Sequence, residues 1–248
     1  MLASALHDVL QRIDNAMQGA DWPAPRLLPV SKTRSAAEIA ALAALLREAV
    51  PGQPPAFGEN YLQEAASKTA ALSALSVEWH LIGHLQSNKA AQAAVLFDWV
   101  QSIDRAKLVP LLARHRPSGR KALNVLIQVN IDDEHSKHGC APADIAALAS
   151  RIVETPRLRL RGLMAIPAPH PDPERRRDAF RAMHGLYQAL REDHACVDTL
   201  SMGMSDDLES AIAEGATMVR VGTALFGPRS RDSAIGNRES DEQASGAS

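Results

Sequence analysis

Three short stretches of this chain hold the residue types that a bound phosphate and a reactive amine would need. Leu200-Ser201-Met202-Gly203-Met204-Ser205-Asp206-Asp207 reads as a strand, a glycine turn and the start of a helix. A helix start leaves backbone N–H groups without intrahelical partners, and with nearby hydroxyls these make a seat for an anion. Asp206 and Asp207 are predicted in the first helical turn, where negative charge suits the dipole. Leu208, Ala211 and Ile212 then give a buried face, and Gly215 ends the helix. Residues 217–221 have strand character, and Gly222-Thr223 lets backbone approach a ligand closely. The third stretch lies far upstream, where Lys32 follows the apolar run 26–31.

Taken alone, Lys32 reads as a surface lysine marking a strand exit. Opposite a phosphate seat, with Arg34 and Arg220 as cationic neighbours and apolar walls, the reading changes. Those surroundings disfavour the ammonium form and leave free amine to attack a carbonyl. Lysine and phosphate seat in one cavity suit a phosphorylated aldehyde held as a Schiff base, and pyridoxal 5′-phosphate (PLP) is the commonest such molecule. Arg220 either pairs with a barrel carboxylate, such as Glu59 or Asp104, or faces the pyridine nitrogen. In the second case it cannot give up its proton, so the nitrogen accepts a hydrogen bond and the ring is a poorer electron sink.

The elements that must position these groups follow a regular rhythm. Leu2, Leu6, Val9, Leu10, Ile13 and Met17 recur at helical spacing, and Gly19 closes that helix. Ser35 and Glu38 form a capping box for a helix with Ile39, Leu42 and Leu46 inside. Later strands are predicted at 56–57, 77–82, 97–103, 123–131 (the longest), 158–164 and 197–202, each followed by a helical pattern. Asp104 is a good N-cap for the helix after the fourth strand, which Pro110 should kink or delay. Eight strict β-then-α units imply a parallel sheet, and their size suits a (β/α)8 TIM barrel with one extra helix in front. An open doubly wound sheet is the alternative. Residues 1–228 are expected to form one domain, and 229–248 a disordered polar tail.

In such barrels functional groups sit at the C-terminal ends of strands, with phosphate sites commonly after strands seven and eight. The two glycine turns fall at those strands. The other strand ends carry Lys32, Asn60, His80, Ser102, Asn130 and Met164. His80 and His84, and separately His135, His138 and Cys140, have some metal-ligand character. The strand context and the loop make packed or solvated histidines the better reading.

Bulk composition excludes several classes. With 248 residues, 46% hydrophobic and 23% charged, the chain suits a soluble globular protein with one sizeable core. Its 27 basic and 29 acidic residues and 4% aromatic content favour neither nucleic acid nor an anionic membrane. Two cysteines without a spacing motif suggest a reducing compartment, and Asp8, Arg12 and Asp14 make the N-terminus unlike a signal peptide. A cytoplasmic protein is expected.

The motifs together resemble the YggS-type family of PLP homeostasis proteins (PROSC in animals). The matching segments are Val30-Ser31-Lys32-Thr33, Phe57-Gly58-Glu59-Asn60-Tyr61, Trp79-His80-Leu81-Ile82-Gly83, Leu85-Gln86-Ser87-Asn88-Lys89, Ser102-Ile103-Asp104 and Gln128-Val129-Asn130-Ile131. Lys137-His138-Gly139, Arg161-Gly162-Leu163-Met164-Ala165-Ile166-Pro167, 200–207 and 218–227 complete the match. The resemblance implies a fold-type III PLP barrel like the N-terminal domain of alanine racemase. It places the Schiff base on Lys32, the phosphate at Ser205, Gly222 and Thr223, and Arg220 at the pyridine nitrogen. Ser201, Met202, Asn60 and Met164 would line the pocket. The chain departs from the pattern at Arg34, where relatives often have a second lysine, at His84, where proline is frequent, and at Pro110.

The reading favoured is a PLP-binding protein that buffers or delivers the cofactor, with apo PLP-dependent enzymes as recipients and no catalytic residues of its own. Racemases of this fold take a second base from an added C-terminal β-domain, and this chain stops just after the barrel, so that base is expected to be missing unless a dimer partner supplies one. A PLP-dependent racemase or related enzyme is the alternative, and a PLP-free Schiff-base aldolase would leave Arg220 unexplained. A monomer without bound metal is expected.

Overall fold

The computed structural model describes residues 1–132, 134, 138–168 and 172–228; the tail expected at 229–248 lies outside them. Eight strands form one wholly parallel sheet: β1 (Arg26–Pro29), β2 (Ala56–Glu59), β3 (Glu78–Leu81), β4 (Trp99–Ile103), β5 (Leu123–Gln128), β6 (Leu158–Met164), β7 (Thr199–Ser201) and β8 (Met218–Val221). Their order sets β8 beside β1, and a parallel bridge from Val30 to Gly58 joins β1 to β2. The Ser31 N–H donates to the Gly58 carbonyl at 2.9 Å across that seam. A first strand lying between the eighth and the second is a barrel, not an open doubly wound sheet.

Helices α1 (Leu2–Ala16), α2 (Ala36–Ala49), α3 (Leu62–Ala71), α4 (Ala90–Leu96), α5 (Leu108–His115), α6 (Ile145–Val153), α7 (Pro173–Asp193), α8 (Leu208–Ala213) and α9 (Thr223–Phe226) surround the sheet. The capping box that opens α2 is formed as read: Ser35 Oγ accepts from the Glu38 N–H, and Glu38 accepts from the Ser35 N–H. The main core lies between sheet and helices. Inside the barrel are two small apolar groups, Leu28–Ala56–Ile82–Met218 and Trp99–Leu126–Met164. Buried His80, Gln101, Ser201 and Arg220 share that interior.

Several boundaries differ from the sequence reading. β5 stops at Gln128, because Cys140 folds back to exchange hydrogen bonds with Gln128 and Asn130, and β6 is the longest strand instead. Asp104 does not cap α5. It pairs with Arg105, and the helix starts at Leu108, so Pro110 falls in the first turn, where its missing N–H costs nothing. Asp206 and Asp207 precede α8 rather than opening it, and Asp207 accepts from the Met204 N–H to close the preceding turn. The four-residue α9 escapes a periodicity search.

Candidate functional site

Lys32 leaves the end of β1 on a tight turn whose hydrogen bond, Arg34 N–H to Ser31 carbonyl, spans 3.0 Å. Thr33 holds φ at 66°, a left-handed conformation that a β-branched residue adopts only under constraint. The constraint is visible. Glu64 of α3 accepts from the Thr33 N–H at 2.5 Å, and buried Lys68 donates to the Ser31 carbonyl at 2.6 Å. Lys68 also pairs with Glu64 at 2.6 Å and with fully buried Glu59 at 2.7 Å, while the Ser31 hydroxyl donates to the same Glu59 oxygen. Burial pushes the Glu59 carboxyl upward against the pull of Lys68. Both flanks of Lys32 are thus tied to one ion-pair cluster. The sequence reading missed Lys68 and Glu64, since their i,i+4 spacing reads as an ordinary solvent-exposed helix pair.

The phosphate-like turns are neighbours of Lys32 rather than opposite it, because closure sets β8 beside β1. A Cβ added at Gly222 would lie 3.4 Å from the Val30 carbonyl, two residues before Lys32. Gly222 caps α9, Thr223 is its exposed first residue, and the Ala224 N–H donates to Ser205 Oγ at 3.4 Å. The β7 and β8 exits therefore meet through that hydroxyl. Behind them α1 is docked by Arg12, which donates to the Ser205 carbonyl at 2.9 Å and pairs with Glu209 at 2.6 Å.

Arg220 is fully buried inside the barrel. It pairs with neither Glu59 nor Asp104; it donates to Ser201 Oγ at 2.7 Å and to the Ala165 carbonyl at 2.8 Å. Burial pushes its guanidinium down to about 10, with Asp207 opposing, so it remains a cation at neutral pH. Each terminal nitrogen keeps a second N–H beyond these bonds. Ser201 ends β7 and faces inward. Met202, next in the alternation, packs into the outer core, which leaves only its backbone for the mouth. Met164 ends β6 and packs inside the barrel with Trp99 and Leu126. His80 also faces the interior, not the mouth.

Asn60 follows β2, and a Cβ at Gly83 would collide with its carbonyl, so these two strand exits are packed tightly together. The side-chain oxygens of Asn60, Ser102 and Asn130, at the exits of β2, β4 and β5, are buried without hydrogen-bond partners. Buried polar atoms are rarely left so, and three at one end of a barrel fit a polar ligand. Arg34, by contrast, turns outward. It donates to the Gly227 carbonyl at 2.6 Å and lies over the Phe226 ring, clamping the end of α9.

Neither histidine grouping read from sequence forms among the described residues, and His135 lies outside them. Instead His84 stacks on His138 with ring centroids 3.7 Å apart and planes 14° apart, and its Nδ1 lies 3.6 Å from Asp104. The ligand atoms of His84, Asp104 and His138 lie within 4.8 Å of one another, but His138 is exposed and such groupings are common without an ion, so the cluster by itself carries no metal argument.

A parallel barrel whose β1 exit bears a lysine on a pinned turn beside two hydroxyl-bearing turns defines a class of barrels with a lysine at the mouth. The family model for the alanine racemase N-terminal domain matches residues 4–230. The pyridoxal phosphate homeostasis protein of Pseudomonas aeruginosa is 49% identical over 230 residues, covering 92% of this chain and 96% of that protein. The protein of the same name from Escherichia coli K12 is 48% identical over 206 residues, covering 82% and 85%. PipY of Synechococcus elongatus PCC7942, solved with PLP bound, superposes with a TM-score of 0.76 at 33% identity over 92% of this chain and 100% of that one. Alanine racemase of Clostridium difficile 630, at TM-score 0.66 and 13% identity, spans 95% of this chain but 59% of the racemase, and shows a shared fold alone. The chain belongs to the alanine racemase N-terminal domain family and, within it, to the pyridoxal phosphate homeostasis proteins.

Proposed function

We propose that this chain binds PLP and takes part in its homeostasis, holding and releasing the cofactor rather than turning over a substrate. The observation that carries this reading is the meeting of the β1 and β8 exits, which sets the Lys32 turn against the Gly222 backbone and the Ser205–α9 contact. In this reading Lys32 would hold the cofactor through its aldehyde as a Schiff base, and Ser205, Gly222 and Thr223 would receive the phosphate. Arg220 would donate to the ring nitrogen. Asn60, Ser201, Met164 and the Met202 backbone line the cavity. PLP supplies an electrophilic aldehyde and an aromatic electron sink, and an arginine at the nitrogen weakens the second of these. That weakening suits a carrier. Relatives named for homeostasis rather than for a reaction support the same side. No helix among the described residues is long and apolar enough to cross a membrane. A cytoplasmic monomer that serves apo PLP-dependent enzymes completes the proposal.

The test is a visible spectrum of the protein with PLP, before and after borohydride, followed by peptide mapping. The expected result is a reduced adduct on the peptide containing Lys32. An adduct at Lys89 or Lys137 instead, or none, would overturn the assignment. Turnover of an amino acid in the same sample would favour a racemase or related enzyme.

A further inference from the structure

A continuous line of hydrogen bonds runs down the barrel interior from Arg220. Arg220 donates to Ser201 Oγ at 2.7 Å, Ser201 Oγ lies 2.7 Å from Gln101 Oε1, and Gln101 Nε2 lies 2.9 Å from His80 Nδ1. His80 Nε2 meets Glu78 Oε1 at 2.9 Å, and Arg26 donates to that same oxygen at 2.6 Å. His80, Gln101, Ser201 and Arg220 are all buried.

The chemistry of each group fixes the direction of the whole line. A carboxylate only accepts, so His80 Nε2 must carry the proton. The buried imidazole is neutral, so Nδ1 is an acceptor and must be met by the Gln101 NH2. That orients the amide oxygen toward Ser201, whose single hydroxyl proton is then spent on Gln101. Ser201 is left as an acceptor for Arg220. Met218 sulfur, 3.2 Å from Gln101 Nε2, agrees with this orientation because thioether sulfur only accepts.

We propose that His80 and Gln101 are positioning residues that act through Ser201 to fix Arg220 as the donor presented to the bound ring. Because the Ser201 proton points away from Arg220, this wall offers a ligand the donors of a cation and at most a spare hydroxyl lone pair. A ring nitrogen that accepts a hydrogen bond fits such a wall, and a protonated one does not. The inference rests on the PLP reading for the identity of the ring, but the direction of the line does not depend on it.

Two measurements separate those layers. In the ligand-free full chain, long-range ¹H–¹⁵N correlation should show His80 as the neutral Nε2–H tautomer, with Nδ1 shifted by an accepted hydrogen bond that Gln101→Leu abolishes. An Nδ1–H tautomer, or a spectrum indifferent to Gln101→Leu, overturns the proposal whatever the chain binds. PLP titration then compares variants. His80→Phe should weaken binding roughly tenfold and move the visible band of the bound cofactor. His80→Gln, which can still accept from Gln101 and donate to Glu78, should restore both. Ser205→Ala should weaken binding without moving the band. Wild-type affinity and band position in folded His80→Phe would sink the proposal. Wild-type protein that binds no PLP while His80 shows the expected tautomer would sink the PLP reading and leave the directed line standing.

Discussion

At the scale of single residues, the cost of presenting Lys32 is borne by its neighbours. Thr33 in a left-handed conformation costs about 1–3 kcal/mol, and the Lys68–Glu59–Glu64 cluster holds it there. Lys68→Met would strand Glu59 and should destabilise the fold by about 3–5 kcal/mol, less whatever Glu59 recovers by taking a proton. Lys68→Arg should lose much less, and urea midpoints would compare the two. A second expectation concerns acid. Burial outweighs Glu78 and keeps His80 neutral in the fold, so the unfolded chain gains a proton as pH drops through about 6.5 and the folded chain does not. Glu78 is held at about 2, because its bonds to His80 and Arg26 win over burial, so its stabilising effect is lost between about 4.5 and 2. Stability should fall from pH 6.5 downward in two stages, and His80→Gln should flatten the upper one. A profile in which the variant matches wild type above pH 5 would contradict a neutral His80. Little of this was legible in the sequence. Lys32 and Arg220 stood out by position at strand ends, whereas Lys68, Glu64 and Gln101 act through contacts between distant parts of the chain that no local pattern records.

At the scale of elements, the proposed seat for phosphate is a joint between two loops. Ser205 comes from the β7 exit and Thr223 from the β8 exit, and α9 brings them together. Ser205→Ala and Thr223→Ala should each cost about 1.5–3 kcal/mol in PLP binding, a factor of roughly ten or more in affinity. Isothermal titration showing no loss in either variant would remove these strands from the site. The β-then-α rhythm was readable because each strand is a compact apolar run between turn signals. The positions of Asp207 and of α9 were not, since a helix of four residues is shorter than its own repeat. Arg34 shows another limit. Its sequence position beside Lys32 suggested a role at the mouth, but the turn sends its side chain to the Gly227 carbonyl. Arg34→Lys should leave PLP affinity nearly unchanged while loosening the end of α9; a tenfold affinity change would place residue 34 at the mouth after all.

At the scale of the whole molecule, the barrel was predictable from strand count and order, because eight parallel units of this length have few ways to bury both faces of a sheet. How the ring closes was not predictable, and it matters most for the lysine. Among the described residues β1 and β2 meet through one parallel bridge and the Ser31-to-Gly58 hydrogen bond, whereas β5 and β6 are paired along their length. Lys32 therefore stands next to a sparsely paired part of the ring. Local opening there needs few bonds to break, so the Ser31 amide should exchange with solvent ahead of amides in β5. A ligand bonded to Lys32 and lined by Asn60 at the β2 exit would span that seam from above. Occupancy would then be written in the breathing of the ring, as slowed exchange at Ser31, before any change of shape.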